Sequence, residues 1–412
     1  MTRRARVAVV SDYTLATLGG AENAFHDQVL ALSAVADVLA ICPPSERLAA
    51  LGRQPQIRAM GVPAAFVVPG LGFPLVPHTA RLRHRLRTVL AEHRVEVVHL
   101  HSEFGLAAAA IAAARELGIA VVQTVHTFFW QTTAPIQTLL ALGGPPFHRL
   151  VTGFSPARIR LADRAGDSAL RAMTLATARR VDLVISPSAH QADRLRAAGL
   201  ARVEVVPNTV APNPTARPVT SIDGPLRVLW IGRLADEKRI LPFVRDALRA
   251  VGDVGADRLQ VEIVGAGPRQ AQVRRLIDGH RGITWRGRLD PAEIPAALER
   301  AHVTVLSSIG WDNQPMTVAE SITALRGVIW CDPALTEGLA DAGIAAFGES
   351  TDVLAGRLVE LATDPTPVIA ASSAAISARD VFSADTFLRS VTRAYRTAMA
   401  VEQQTGVPTC AS

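Results

Sequence analysis

Two series of short, β-branched apolar runs, each alternating with helical stretches, constrain this 412-residue chain more than any other feature. In the first half the runs are 6–10 (RVAVV), Asp37–Ile41, Val95–Leu100, Ile119–Thr124, Val181–Ser186 and Val203–Val206. Runs this short with no polar alternation are the pattern of strands buried on both faces of a parallel sheet. The helical stretches between them are the crossovers that parallel pairing requires. Ala211–Pro225 (APNPTARPVTSIDGP) then breaks the rhythm; rich in Pro, Ser and Thr, it reads as a linker. The alternation restarts at Leu226–Ile231, Leu259–Val264, Ile283–Arg286, Val303–Leu306 and Val328–Cys331. A chain of this length exceeds one core, so two doubly wound α/β domains are predicted, 1–212 and 213–384. A helix follows at about 385–403, carrying Phe387, Leu388, Val391, Tyr395 and Met399 at helical spacing.

Composition narrows the function classes. The formal net charge of +6 falls short of the basic footprint of a nucleic-acid binder. Arginine supplies nearly all the positive charge, and Lys238 is the only lysine. A lysine kept against that bias points to a need for a compact ammonium. Cys42, Cys331 and Cys410 fit neither a disulfide framework nor a metal site, which predicts a reducing cytoplasm. The segment MTRRARVAVV runs directly into a strand, so no signal peptide is expected, and Phe104–Ala114 is too short to span a membrane.

Several residues stand where such sheets bind ligands, at the carboxyl ends of strands. Gly19-Gly20 open a helix after the first strand, either as a plain turn or as an anion site on free helix amides. His99, His101 and His126 lie at or just past strand ends without metal-ligand spacing. His126 is placed to touch a ligand; His99, inside its apolar run, reads as a core residue. In the second half Arg233 follows a strand, and Lys238 comes five residues later at the predicted start of a helix. Two cations beside a helix N-terminus suit a diphosphate. Gly265-Ala266-Gly267 lacks the third glycine of a dinucleotide fingerprint. Asp312 and Glu320 are eight residues apart, slightly over two helical turns, and so can face one cleft. Elsewhere, Arg81–Arg94 reads as a basic amphipathic helix, and 128–178 is aromatic and apolar with few acids. Both suit either an anionic membrane or lipid acceptor, or a solvated helix and a packed insertion.

Taken in order, GGAE, VVHLHS, TVHT, VISPSAHQADRL, VVPNTV, IGRLADEK, IVGAGP, WRGRLDPAEIPAALERA and SSIGWDNQPMTVAES resemble the retaining glycosyltransferases of family 4 across nearly the whole chain. The resemblance implies the GT-B fold, two Rossmann-like domains facing across a cleft, with the last helix crossing back onto the first. It implies hexose transfer from a nucleoside diphosphate sugar, UDP- or GDP-linked, to a lipid or glycan acceptor, with no cofactor or metal. By position, Arg233 and Lys238 would hold the donor diphosphate and Glu320 the ribose. Asp312, Asn313, Gln314, Pro315 and Met316 would contact the sugar and distal phosphate. Gly19 and Gly20 would approach the phosphate from the first domain, and His126 the sugar or acceptor. The sequence departs from the family at Asp312, where a glutamate is usual, and at Arg239, where a glycine usually follows the lysine. A sugar epimerase of the same fold and a catalytically silent nucleotide-sugar binder are the competing expectations. Peripheral contact with the inner face of the membrane is a further one.

Overall fold

The computed structural model describes residues 4–16, 19–68, 73–126, 128, 136–348 and 352–405. The tail after Thr405, with Cys410, and residues 127 and 129–135 of the aromatic run lie outside them. The chain divides into two compact units, Met1–Thr209 with Ala384–Ser412, and Val210–Ser383.

Unit 1 is built on β1 (Ala5–Val10), β2 (Ala36–Cys42), β3 (Ile57–Gly61), β6 (Val97–Leu100), β7 (Ala120–Thr124), β8 (Leu183–Ser186) and β9 (Val203–Val205), with a side hairpin β4 (Phe66–Val68) and β5 (Phe73–Leu75). The sheet order is β3-β2-β1-β6-β7-β8-β9, every pairing parallel. β3 and the β4–β5 hairpin were not expected: β3, at the sheet's edge, buries only Ile57, and β4–β5 is three residues a side. Short edge elements of this kind lack the continuous apolar run that marks a central strand.

The apolar side chains of β1, β2, β6 and β7 fill one core with Phe25, Val29 and Leu32 of helix Gly20–Ser33. The same core takes Phe387, Val391, Ala394, Tyr395 and Ala398 from helix Ala384–Thr405. The final helix is therefore part of unit 1, although the whole of unit 2 precedes it in the chain.

Unit 2 contains β10 (Leu226–Ile231), β11 (Leu259–Val264), β12 (Ile283–Trp285), β13 (Val303–Leu306), β14 (Gly327–Trp330) and β15 (Gly343–Ala345), ordered β12-β11-β10-β13-β14-β15 and all parallel. The order reverses between β10 and β13, which is the topological switch point of a doubly wound sheet. Segment 211–225 is not a free tether. Val219 donates its N–H to Ser372 Oγ at 2.7 Å, and Arg326 reaches the Arg217 carbonyl at 2.7 Å.

One prolyl segment also departs from its sequence signal. Gly143-Gly144-Pro145-Pro146 lie inside a continuous helix, Gln137–Thr152, ended by Gly153 in the left-handed region. Prolines remove two helical N–H donors there. Packing along helix Ala165–Ala178 retains the helix, with the Gln137 carboxamide oxygen accepting the N–H groups of Gly166 and Asp167 at 2.8 and 3.2 Å.

Candidate active site

In unit 2 the candidate residues gather where the sheet order reverses. After β10 the chain makes a turn, Asp236–Lys238 in one 3-10 turn, before helix Ile240–Val254. Lys238 thus precedes the helix rather than starting it. Arg239 joins the two with φ 52° and ψ 36°, the left-handed region. This is the physical reason a glycine suits that position, since a Cβ there costs about 1–2 kcal/mol. Ser307, just past β13, pins the turn: its hydroxyl donates to the Lys238 carbonyl at 2.7 Å and accepts from Trp230 Nε1 at 2.9 Å.

The turn after β11 presses on the same place. A Cβ on Gly265 would collide with the Gly232 carbonyl and one on Gly267 with the Leu234 backbone. The Leu234 N–H reaches the Ala266 carbonyl at 3.0 Å. The glycines of 265–267 therefore let two βα turns meet backbone to backbone. A dinucleotide motif is not needed to explain them.

Lys238 Nζ contacts Asp312 Oδ1, and Ser308 Oγ donates to Asp312 Oδ2. The side chains of Lys238 and Asp312 are 26% and 10% exposed, so this pair is shielded. Arg233 instead pairs with Glu237, four residues along, and stays 65% exposed. Both cations of the predicted diphosphate site are thus held by carboxylates, which an incoming diphosphate would have to displace. Asp332 holds the loop between: its carboxylate accepts the N–H groups of Gly310 at 2.6 Å and Ala334 at 3.0 Å. Past Asn313 and Gln314, Pro315 caps helix Met316–Thr323, on which Glu320 is half-buried. The opening N–H groups of such a helix have no partner within it.

In unit 1 the histidines assemble into a chain. His99 Nδ1 meets the Tyr395 hydroxyl at 2.8 Å and Nε2 the Thr124 hydroxyl at 2.7 Å. His101 Nδ1 meets His126 Nε2 at 2.9 Å, with the rings stacked at 5.1 Å. Burial pushes the His126 pKa down to about 4 and, aided by the charge of His126, that of His99 to about 3. Burial also holds His101 well below its ordinary value. All three are neutral near pH 7, so His126 acts there as a hydrogen-bonding group and not as a cation. Gln191 supports its loop by donating to the Val125 carbonyl at 2.7 Å.

At Gly19 the Glu22 carboxylate folds back into the space a Cβ would take, over the start of helix Gly20–Ser33. The N-terminus of helix Gly105–Glu116 is likewise filled. Buried Asp12 accepts the N–H groups of Leu106 at 2.7 Å and of Phe104 and Ala107 at 3.2 Å. Burial raises the Asp12 pKa, while the hydroxyl of Ser102 and these N–H groups oppose the shift. Ser307, Ser308, Asp332, Glu237 and Asp12 were not singled out from sequence. Serines and aspartates just past strands are too common to stand out without the contacts. Among the described residues no three His, Cys, Asp or Glu side chains are grouped as metal ligands.

Solved structures with this architecture run along almost the entire chain. HepE of Anabaena, in complex with UDP, superposes with a TM-score of 0.66 at 14% identity, covering 95% of this chain and 100% of that one. Sucrose-phosphate synthase of Thermosynechococcus elongatus gives 0.64 at 16% identity, covering 96% and 100%. The lipopolysaccharide outer core galactosyltransferase WaaB, in its apo form, gives 0.60 at 14%, covering 94% and 99%. No curated protein sequence matches the chain. The model of Glycosyltransferase Family 4 matches residues 18–213. The chain has the GT-B fold of these structures, and its residues 18–213 are similar to Glycosyltransferase Family 4.

Proposed function

We propose that the chain transfers a hexose from a UDP- or GDP-linked donor to a lipid or glycan acceptor, with retention of anomeric configuration, in the cytoplasm at the inner face of the membrane. The observation that carries this reading is the shielded Lys238–Asp312 pair at the switch point of the second sheet, with Arg233 in the same turn. UDP bound to the similarly folded HepE favours a uridine donor. Lys238 and Arg233 take the diphosphate, exchanging Asp312 and Glu237 for phosphate oxygens. Glu320 takes the ribose hydroxyls, and 312–316 the sugar and distal phosphate. Gly19 and Gly20 are the glycines this reading assigns to donor phosphate, with Glu22 swung aside. Neutral His126 hydrogen-bonds a sugar or acceptor hydroxyl.

In the transfer step the bond from the anomeric carbon to the distal phosphate oxygen breaks and its electrons stay on that oxygen. The acceptor hydroxyl attacks the anomeric carbon from the same face and gives its proton to the departing phosphate. Lys238 and Arg233 stabilise the charge that develops, which is where preorganised electrostatics lower a barrier most. In this reading the two cations do that work without a cofactor or metal.

The experiment is a screen of nucleoside diphosphate sugars scored by nucleotide release, repeated on Lys238→Ala. Losing one such partner commonly costs about 10²–10³ in turnover. That loss is expected with an unchanged circular dichroism spectrum. Wild-type turnover in Lys238→Ala removes the diphosphate assignment. Free-sugar isomerisation without transfer identifies an epimerase, and donor binding without nucleotide release a silent binder.

A further inference from the structure

Helix Gln137–Thr152 buries Gly144, His148, Val151 and Thr152 against unit 1. Its opposite face carries Leu139, Leu142, Pro146 and Leu150, which fall together at 3.6 residues per turn. The three leucines are 69%, 73% and 83% exposed, the most exposed large apolar side chains among the described residues. The β4–β5 hairpin adds Phe66 and Val67 at 51% and 57%. Hairpin and helix belong to one corner of unit 1, since Phe73 and Leu75 share a small core with Phe147 and Val151.

Charge selects the occupant. From Leu117 to Ala162 the chain contains no Asp or Glu, while Arg149, Arg158 and Arg160 are exposed. Arg149 stands on the outward side of the helix itself. The first acid beyond, Asp163, meets Arg160 only at 3.9 Å with both side chains in water, which neutralises little. Asp167 is buried, accepting from Gln137 Nε2 at 2.8 Å. A second copy docked here would set Arg149 near its own image with no acid on either helix. An apolar stripe flanked by cations matches the headgroup and acyl boundary of an anionic leaflet instead. The arginine-rich helix Ala80–Glu92 is less suited. Leu86 and Leu90 are spent on the core, and Arg83 and Arg87 lie 3.2 and 3.7 Å from Glu116.

We infer that the outward face of helix Gln137–Thr152, with Phe66 and Val67 of β4, lies on an anionic lipid bilayer and brings unit 1 to a membrane-borne acceptor. No helix among the described residues is long and apolar enough to cross a membrane. The inference serves the lipid-directed reading above, but vesicle binding is measured without donor or acceptor, so the two fail separately.

The test is flotation of the full chain with vesicles of phosphatidylcholine alone and of phosphatidylcholine with phosphatidylglycerol. Binding is expected on the anionic vesicles and should weaken as salt rises. Leu139→Ser/Leu142→Ser/Leu150→Ser should bind roughly tenfold or more weakly, with unchanged melting temperature and donor hydrolysis. Arg149→Gln should lose about fivefold on anionic vesicles and little on neutral ones. Lys238→Ala should bind as wild type. No partition of the wild type onto anionic vesicles overturns the inference, as does equal binding by the triple-serine variant. A vesicle-free dimer in sedimentation velocity that the serine variant abolishes also overturns it, assigning the face to a second copy.

Discussion

Asp312 is one methylene shorter than the glutamate usual at its position, and in this structure both its oxygens are engaged, by Lys238 and by Ser308. In the proposed function, a carboxylate so placed competes with phosphate for the lysine. Asp312→Asn removes the competitor, so free UDP should bind more tightly in calorimetry while hexose transfer falls. Weaker UDP binding in that variant would show that Asp312 orients Lys238 rather than restraining it. Next to it, Arg239→Gly should raise stability by up to about 1 kcal/mol by relieving the left-handed φ of 52°.

On the following helix, burial and then Asp352 push the Asp246 pKa up to about 6, partly offset by Arg249 and Arg239. Its folded value is raised above the ordinary 3.8, so the carboxyl favours the folded state only while protonated. Stability from this group is lost as pH rises from about 4 to about 6 and is constant above. Asp246→Asn should flatten that slope and, with the group half-exposed, gain about 1 kcal/mol at neutral pH in urea titrations. The candidate cations and carboxylates at 233, 238, 312 and 320 were legible in the sequence. The Lys238–Asp312 pairing was not, because Asp312 is 74 residues from Lys238.

At the scale of elements, a single buried arginine joins three segments of unit 2. Arg326 donates to the carbonyls of Leu298, Glu299 and Ala301, of Ala324 and Leu325, and of Arg217 at 2.7–3.1 Å. It thus closes the end of helix Ile294–Arg300, where a cation complements the helix dipole, and pins segment 211–225. Arg326→Met would leave these carbonyls buried without donors, at a cost of roughly 3 kcal/mol read from urea midpoints. The sequence made 211–225 look like a linker because proline and serine mark irregular backbone equally well whether it is free or fastened. Central strands were readable to within a residue or two, their apolar runs being independent of context. The edge strands β3 and β15 and the helix through Pro145-Pro146 were not, because neighbouring packing sustains them against weak local preference.

Across the whole molecule the buried histidines govern the acid limb. Burial lowers His99 to about 3 and His126 to about 4; His302 is also lowered to about 4, first by burial and then by Arg227 and Arg326. A histidine lowered in the folded state contributes stability that is present above about 6.5 and lost as pH falls through the folded value. Melting temperature should therefore fall steeply from pH 6.5 toward pH 4, opposite in sign to Asp246. A flat profile there would mean the cluster is open to water. Turnover between pH 6 and 8 should show no inflection from His126. Deleting residues 384–412 should leave unit 1 aggregating, since Val97, Ala120 and Val122 lose the cover of Phe387, Val391 and Tyr395.

The sequence by itself determined the two parallel sheets, the strands that centre them and the loops that reach their carboxyl edges. Those follow from local periodicity, which needs only neighbours in the chain. Tertiary structure alone decided which distant polar side chains meet: Lys238 with Asp312, and His101 with His126. It also decided which apolar residues stay in water, for Leu139, Leu142 and Leu150 read no differently from core leucines until the helix's other face is seen buried. Contacts between distant segments carry no period, and exposure is a property of the packed molecule.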